Sequence, residues 1–240
     1  TPHAGMDESG KGDFFGPLVV AAVYVDKTME IDLGNAGVRD CKQIRSDVQL
    51  AGIAADAMKI VKGKVGLVSI GPEAYNRMYG NFRSLNHLLA WGHARALENL
   101  LEKVPECSEA IADQFGNEQL LLSALKEKGR RIRLIQRPRA ESDMAVAAAS
   151  VLARAAFLRR LQDLGEQAGM KLPKGAGEPV DRCAAELAAK GGAELLSRFA
   201  KMHFRNSSKA LGLPVEPKIP WRKKSAPVSP ESGMTDGTLF

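Results

Sequence analysis

The run Leu18-Val19-Val20-Ala21-Ala22-Val23-Tyr24-Val25 most limits what this chain can become. Eight apolar residues in succession, many of them β-branched, suit a strand buried inside a sheet. A short apolar run ending at Met6 precedes it across the glycine-rich bend Gly10-Lys11-Gly12, so residues 3 to 25 read as a hairpin-like pair. A helix is expected over 46 to 61 behind a Ser46 cap, and a strand over Val65 to Ile70. From Leu85 to Leu101 apolar residues recur at three and four, which predicts another helix. Ala110-Ile111-Ala112 makes a short strand ending at Asp113. Beyond it come a helix near 117 to 128, the strand Ile132 to Ile135, a long alanine-rich helix over 144 to 163 and a helix between about 179 and 201. Strands that open as a meander and then alternate with helices imply an α/β fold, a mixed five-stranded sheet flanked by helices.

After Gly212 the pattern stops. Pro214, Pro217, Pro220, Pro227 and Pro230 punctuate a polar, basic segment without periodicity. The expected division is therefore one domain over 1–212 and a flexible Pro-rich tail over 213–240. Hydrophobic residues form 45% of the chain, enough for a sizeable core, yet no apolar run reaches the eighteen residues a membrane span needs. Thr1-Pro2-His3 has no signal-peptide layout. Thr1 in place of an initiator Met suggests that upstream residues have been removed or lie outside this sequence. Cys41, Cys107 and Cys183 match no zinc or redox spacing, which fits reduced thiols in the cytoplasm. A net charge of +6 leans toward a polyanionic partner without deciding it.

Carboxylates carry the functional signal. Asp7 and Glu8 stand at the end of an apolar strand, immediately before glycines. Successive strand side chains point to opposite faces, so one of the pair is expected to be reached through a local distortion. Asp113 also ends a short strand, and strand carboxyl ends are where α/β sheets build sites. Glu141 stands just ahead of the alanine-rich helix, where it could equally serve the helix dipole. Carboxylates gathered on one face repel one another unless cations neutralise them, and an all-oxygen donor set suits Mg²⁺ or Mn²⁺. Two such ions about 3.5 to 4 Å apart can drive phosphodiester hydrolysis.

The segment Gly5-Met6-Asp7-Glu8-Ser9-Gly10-Lys11-Gly12-Asp13-Phe14-Phe15-Gly16-Pro17 resembles the opening active-site segment of type 2 ribonucleases H, and its Asp-Phe-Phe-Gly-Pro part resembles the HIII branch. Arg39-Asp40-Cys41-Lys42 is similar to the family's Asp-Ser-Lys segment, with Cys41 in place of serine. Leu85-Asn86 with Trp91-Gly92-His93-Ala94, the run Ala145 to Arg154, Leu172 to Ala176 and Lys201 to Asn206 extend the likeness over residues 3 to 212.

The resemblance implies an RNase H-like fold and an endonuclease that hydrolyses the RNA strand of RNA/DNA hybrids by a two-metal-ion mechanism, leaving 5′-phosphate and 3′-hydroxyl ends. It implies Asp7, Glu8, Asp113 and Glu141 as catalytic and metal-binding residues, with Asp143 as a competitor for the fourth place. Ser9, Gly10, Lys11 and Gly12 are expected to touch substrate, where the 2′-hydroxyl distinguishes RNA from DNA, and Lys42 to meet a phosphate. The glycines also suit a plain tight turn. His93 is expected to be packed or hydrogen-bonded rather than catalytic, Trp91 to lie in the core, and His203 to lie near substrate. HIII proteins usually carry an extra N-terminal substrate-binding domain; here the motif begins at residue 7, so that domain was trimmed or is dispensed with.

Arg222-Lys223-Lys224 could add nonspecific affinity, and Gly237-Thr238-Leu239-Phe240 looks like a degenerate sliding-clamp-binding peptide, with an ordinary frayed end as the plainer reading. A monomer is expected. Two other readings remain: an HII-like enzyme preferring single ribonucleotides embedded in DNA, and a non-catalytic nucleic-acid-binding protein whose carboxylates are structural.

Overall fold

In the computed structural model, residues 1–39, 44, 46–113 and 115–215 are described. Five strands form one mixed sheet in the order β3-β2-β1-β4-β5. They are β1 (His3–Ser9), β2 (Leu18–Val25), β3 (Val65–Ile70), β4 (Glu109–Asp113) and β5 (Arg133–Arg137). β1 pairs antiparallel with β2 and parallel with β4, so it lies at the centre where the two halves of the sheet meet. The expected α/β architecture is the one observed.

Period-two alternation in β2 explains why that strand is apolar throughout. Val19, Ala21, Val23 and Val25 join a core with α2 (Asp47–Ile60), α6 (Met144–Ala168) and α7 (Glu178–Ser197), whereas Val20, Ala22 and Tyr24 join one with α4 (Leu85–Leu101). Each face is covered by helices, and burying a side chain of this size stabilises the fold by roughly 1.5–3 kcal/mol. The alanine-rich stretch of α6 lets its backbone approach β1 closely. A Cβ on Gly5 would lie 2.1 Å from the carbonyl carbon of Ala145 and from the amide nitrogen of Val146.

Several helix limits differ from the sequence expectation. The helix expected near 117 to 128 is only α5 (Glu118–Ala124). Its continuation is lost because the buried Glu98 carboxylate accepts from the amides of Lys126 at 2.9 Å and Gly129 at 2.8 Å. The α6 helix runs past 163 to Ala168, where Gly169, at φ 65°, ends it. The last expected helix stops at Ser197 and is broken at Gly191–Gly192, freeing Ala200 to pair with Phe15. Three helices were not anticipated: α1 (Lys27–Asn35), α3 (Pro72–Phe82) and α8 (Arg205–Ala210). Buried α1 side chains are only Met29 and Leu33, too few to mark a periodicity. Trp91 is 37% exposed and thus not a core residue. Among the described residues no helix is long and apolar enough to cross a membrane. Cys107 and Cys183 are free; Cys41, like residues 216–240 of the expected tail, lies outside the described residues.

Candidate active site

The sheet register brings the acids together. β1 and β4 run parallel with Met6 beside Ala112, so Asp7 and Asp113 follow as neighbours at the strand ends. Asp7 points to the same face as Gly5, toward α6, where Ser150 hydrogen-bonds its carboxylate. Glu8 points to the other face, toward α4, where His93 Nε2 donates to its Oε2 at 3.0 Å. No distortion of β1 is needed: the pairing with β2 is unbroken from His3↔Val25 to Ser9↔Val19. Both side chains reach one pocket because it opens over the end of the sheet, between the two helical layers.

That pocket has a volume of about 530 Å³ and is lined by five acids from three separate stretches of the chain: Asp7, Glu8, Asp113 and Glu141, with Asp13, whose Oδ1 accepts from the Gly175 amide at 2.6 Å. Glu141 comes from the short 3-10 turn Ala140–Ser142, which is tied to β4 by the Ala140 amide donating to Asp113 Oδ1 at 3.4 Å. Asp143 does not line the pocket. It caps α6, accepting from the amides of Ala145 and Val146 at 3.0 and 3.2 Å, and takes a hydrogen bond from His3 Nε2 at 2.9 Å. Its oxygens are committed to the helix start. Of the expected substrate residues, Ser9, Gly10, Lys11 and Gly12 line the same pocket, while Lys42 lies outside the described residues.

The two loop glycines serve different ends. Gly10 has φ 90°, and a Cβ there would sit 2.1 Å from the Pro17 carbonyl oxygen, so the turn itself demands glycine. A Cβ on Gly12 would meet nothing within 4 Å, which leaves the backbone open to an incoming ligand.

Electrostatics separates the acids. Burial, reinforced by the Glu8 charge, pushes Asp7 up to about 6 despite its hydrogen bonds from Ser150 and the Glu8 amide. For Glu8 burial is the largest single influence and acts upward, but the hydrogen bond and charge of His93, with Lys11 Nζ 3.5 Å away, outweigh it and hold the carboxyl below its usual value. His93 is fully buried and stacks on Phe115 with ring centroids 4.9 Å apart, so its orientation is fixed by packing. It is hydrogen-bonded, as expected, and acts on the site through Glu8.

The donor set fits a divalent cation. It is all oxygen and carries more negative charge than the cations beside it can cancel: Lys11, Arg154 and Lys174, the last already paired with Asp47 at 2.8 Å. Among the described residues no three His, Cys, Asp or Glu side chains are drawn together closely enough to enclose an ion alone. The acids line the pocket at wider spacing, which suits an ion whose remaining ligands are water and phosphate oxygens.

Sequence reasoning assigned no role to Ser150 or Arg154, which both line the pocket. A signal existed. Ser150 is the one polar residue between Ala145 and Ala153, and a buried hydroxyl in such a run must find a partner. Arg154 is one turn further along the same face.

A further residue left without a role is Lys201, which is fully buried. Its Nζ donates to the carbonyls of Asp13 at 2.8 Å and Gly16 at 2.7 Å, and its amide donates to the Phe14 carbonyl at 2.9 Å. Burial pushes its amine down to about 7, and a neutral amine has two N–H groups for those two carbonyls. Asn76 holds the same segment from α3, donating to the carbonyls of Ser197 and Ala200 and accepting from the Met202 amide. The pocket-lining loop is therefore pinned from behind by residues nearly two hundred positions later. His203 is part-buried and stacks on Tyr79 at 4.1 Å; it lies on the Lys201 side of the loop and does not line the pocket.

A family model described as Ribonuclease HII matches residues 4–207. The chain is 43% identical over 212 residues to Ribonuclease HIII of Protochlamydia amoebophila (strain UWE25), covering 88% of this chain and 69% of that protein. It is 46% identical over 206 residues to Ribonuclease HIII of Chlamydia pneumoniae, covering 85% and 68%. Among solved structures, Bst-RNase HIII in complex with Mn²⁺ superposes with a TM-score of 0.81 at 36% identity, covering 88% of this chain and 69% of that one.

Proposed function

Because this chain belongs to the type 2 ribonuclease H family, the group of ribonucleases HII and HIII, we propose that it cleaves the RNA strand of RNA/DNA hybrids at the carboxylate-lined pocket. One observation carries this reading: Asp7, Glu8, Asp113 and Glu141, distant in sequence, line a single pocket that the chain's own cations leave under-neutralised. These four would hold Mg²⁺ or Mn²⁺. When bound, two such ions supply the charge that lets water attack phosphorus and the 3′ oxygen depart, leaving 5′-phosphate and 3′-hydroxyl ends.

The chain's own groups do the positioning. Ser150 and the Glu8 amide orient Asp7, and His93 and Lys11 orient Glu8. The Gly10–Gly12 backbone, open at Gly12, would meet the sugar edge and read a 2′-hydroxyl there. Arg154 supplies a guanidinium for a phosphate oxygen. Residues 1–212 would form this catalytic unit, acting as a monomer in the cytoplasm on hybrids arising in replication and repair. Docking of Leu239-Phe240 on a sliding clamp is a separate proposal, ended if removing the last six residues leaves clamp binding unchanged.

The decisive experiment follows cleavage of a long hybrid by the purified chain with Mg²⁺, Mn²⁺ or a chelator. Metal-dependent 5′-phosphate products, lost in Asp7→Asn and Asp113→Asn, are expected. Cleavage that ignores both substitutions would overturn the reading. A duplex carrying a single ribonucleotide, run alongside, distinguishes the HIII-like preference from the HII-like one.

A further inference from the structure

Beside the acidic pocket, at the same end of the sheet, lies a second cavity of about 280 Å³ with the opposite charge. Its lining brings together Arg77 from α3, Arg160 from α6 and Arg198 just beyond α7. Two carboxylates bear on it: Glu73 lines it, and Asp163 pairs with Arg160 at 3.2 Å. Among the described residues neither Arg77 nor Arg198 has an ion pair. The Arg198 guanidinium lies over the ring of Phe199, 6.0 Å from its centre, and Phe199 is buried, so this cation rests on a rigid base. Two unpaired guanidiniums facing one hollow repel each other and favour an anion between them.

The fold fixes where this cavity stands. Leu18 pairs with Ile70, which sets Pro17 beside Gly71, and both line the basic cavity. Ser9 pairs with Val19, so the acidic pocket at the end of β1 is on the same rim, one to two strands away, or roughly 5–10 Å sideways. One loop separates the two: Gly10 to Asp13 line the acidic side and Pro17 the basic side, with Phe14 and Phe15 buried between. Along α6, Arg154 on the acidic side and Arg160 on the basic side are six residues apart, about 9 Å of helix rise.

We propose that this cavity is a second anchor for the substrate duplex, taking a backbone phosphate a few nucleotides from the scissile one through Arg77, Arg198 and Arg160. The inference rests on the hybrid-cleaving reading above. Guanidinium groups match phosphate oxygens in geometry and keep their charge at any working pH. The anchor carries no sequence information; it fixes how the duplex lies across the loop.

The test measures binding of a long hybrid to the full chain in an Asp113→Asn background, where cleavage is blocked, as a function of salt. Adding Arg77→Ala and Arg198→Ala should weaken binding and flatten the slope of log affinity against log salt by about 0.9, the loss of one phosphate contact. The deficit should therefore shrink about threefold between 50 and 200 mM salt. Arg77→Lys with Arg198→Lys should restore most of the slope, which a merely structural role would not predict. Lys59→Ala with Lys190→Ala, an equal charge loss on exposed helix positions, is the control. An unchanged slope in the arginine variant, or an equal change in the control, overturns the proposal. Failure of the unmutated chain to cleave the hybrid would instead strike the functional reading, and the two failures are read in separate assays.

Discussion

Helix α4 reaches two carboxylates withdrawn from solvent, Glu98 buried and Glu8 part-buried, and the chain treats them in opposite ways. Glu98, on the helix itself, accepts from the amides of Lys126 and Gly129, so the fold supplies its partners and it ends α5 in return. Glu8, on β1, receives His93 from the same helix, but it shares its pocket with Asp7, Asp113 and Glu141, and Asp7 remains pushed up to about 6. An acid used as structure is satisfied by the chain. The acids proposed to hold metal are left partly uncompensated and open to a cavity. Burial alone does not separate the two classes; the source of the neutralising charge does.

The contrast can be broken at its strongest point by Asp113→Asn. Hybrid cleavage should fall on the order of 10³-fold, since a metal site contributes several kcal/mol to the transition state. The thermal midpoint should hold or rise, because a repelling charge has gone. A large loss of stability instead would class Asp113 with Glu98. The converse substitution, Glu98→Leu, strands two buried amides and should cost about 3 kcal/mol in urea unfolding, with turnover per folded molecule unaltered. If turnover falls while stability holds, the division fails.

His93→Phe sharpens the comparison by removing only the partner on the catalytic side. A drop of roughly tenfold in cleavage at neutral pH is expected. With the lowering influence of His93 gone, the Glu8 pKa rises, so the acid limb of the rate profile should move to higher pH; a limb that stays put counts against the positioning role. The smallest effect concerns His3 and Asp143. The Asp143 hydrogen bond holds His3 above 6.5, a contribution complete below that value and lost as pH rises through the raised one. For Asp143 burial acts upward most strongly, yet the His3 hydrogen bond and charge leave it below 3.8, a contribution present above that value and lost as pH falls through the lowered one. His3→Ala should therefore cost about 1 kcal/mol, with the gap widest between pH 3.8 and 6.5 and closing outside it. A gap that does not vary with pH would show that packing, not charge, is what His3 contributes.

Much of the site was legible in the sequence because strand ends are legible. Asp7, Glu8 and Asp113 each close an apolar run, and the parallel pairing of β1 with β4 converts that into proximity. Choosing between Glu141 and Asp143 required coordinates, since both precede α6 and only the backbone path reveals which one caps it. Lys201 and Glu98 were invisible for a different reason. Their partners are single carbonyls and amides, 188 and 31 residues away for Asp13 and Gly129, and such pairings leave no periodic trace. Trp91 misled because helical spacing predicts a face without saying how deep in the core it sits.

The pinning of the Gly10–Gly16 loop by Lys201 bears on how the molecule comes to life during synthesis. The loop is synthesised nearly two hundred residues before its anchor. Until that late segment folds back, the earliest-made part of the site has carboxylates but no fixed surface to lay a duplex against. That surface is therefore fixed later than the strand that carries Asp7 and Glu8, and the order of synthesis separates the acids from their support.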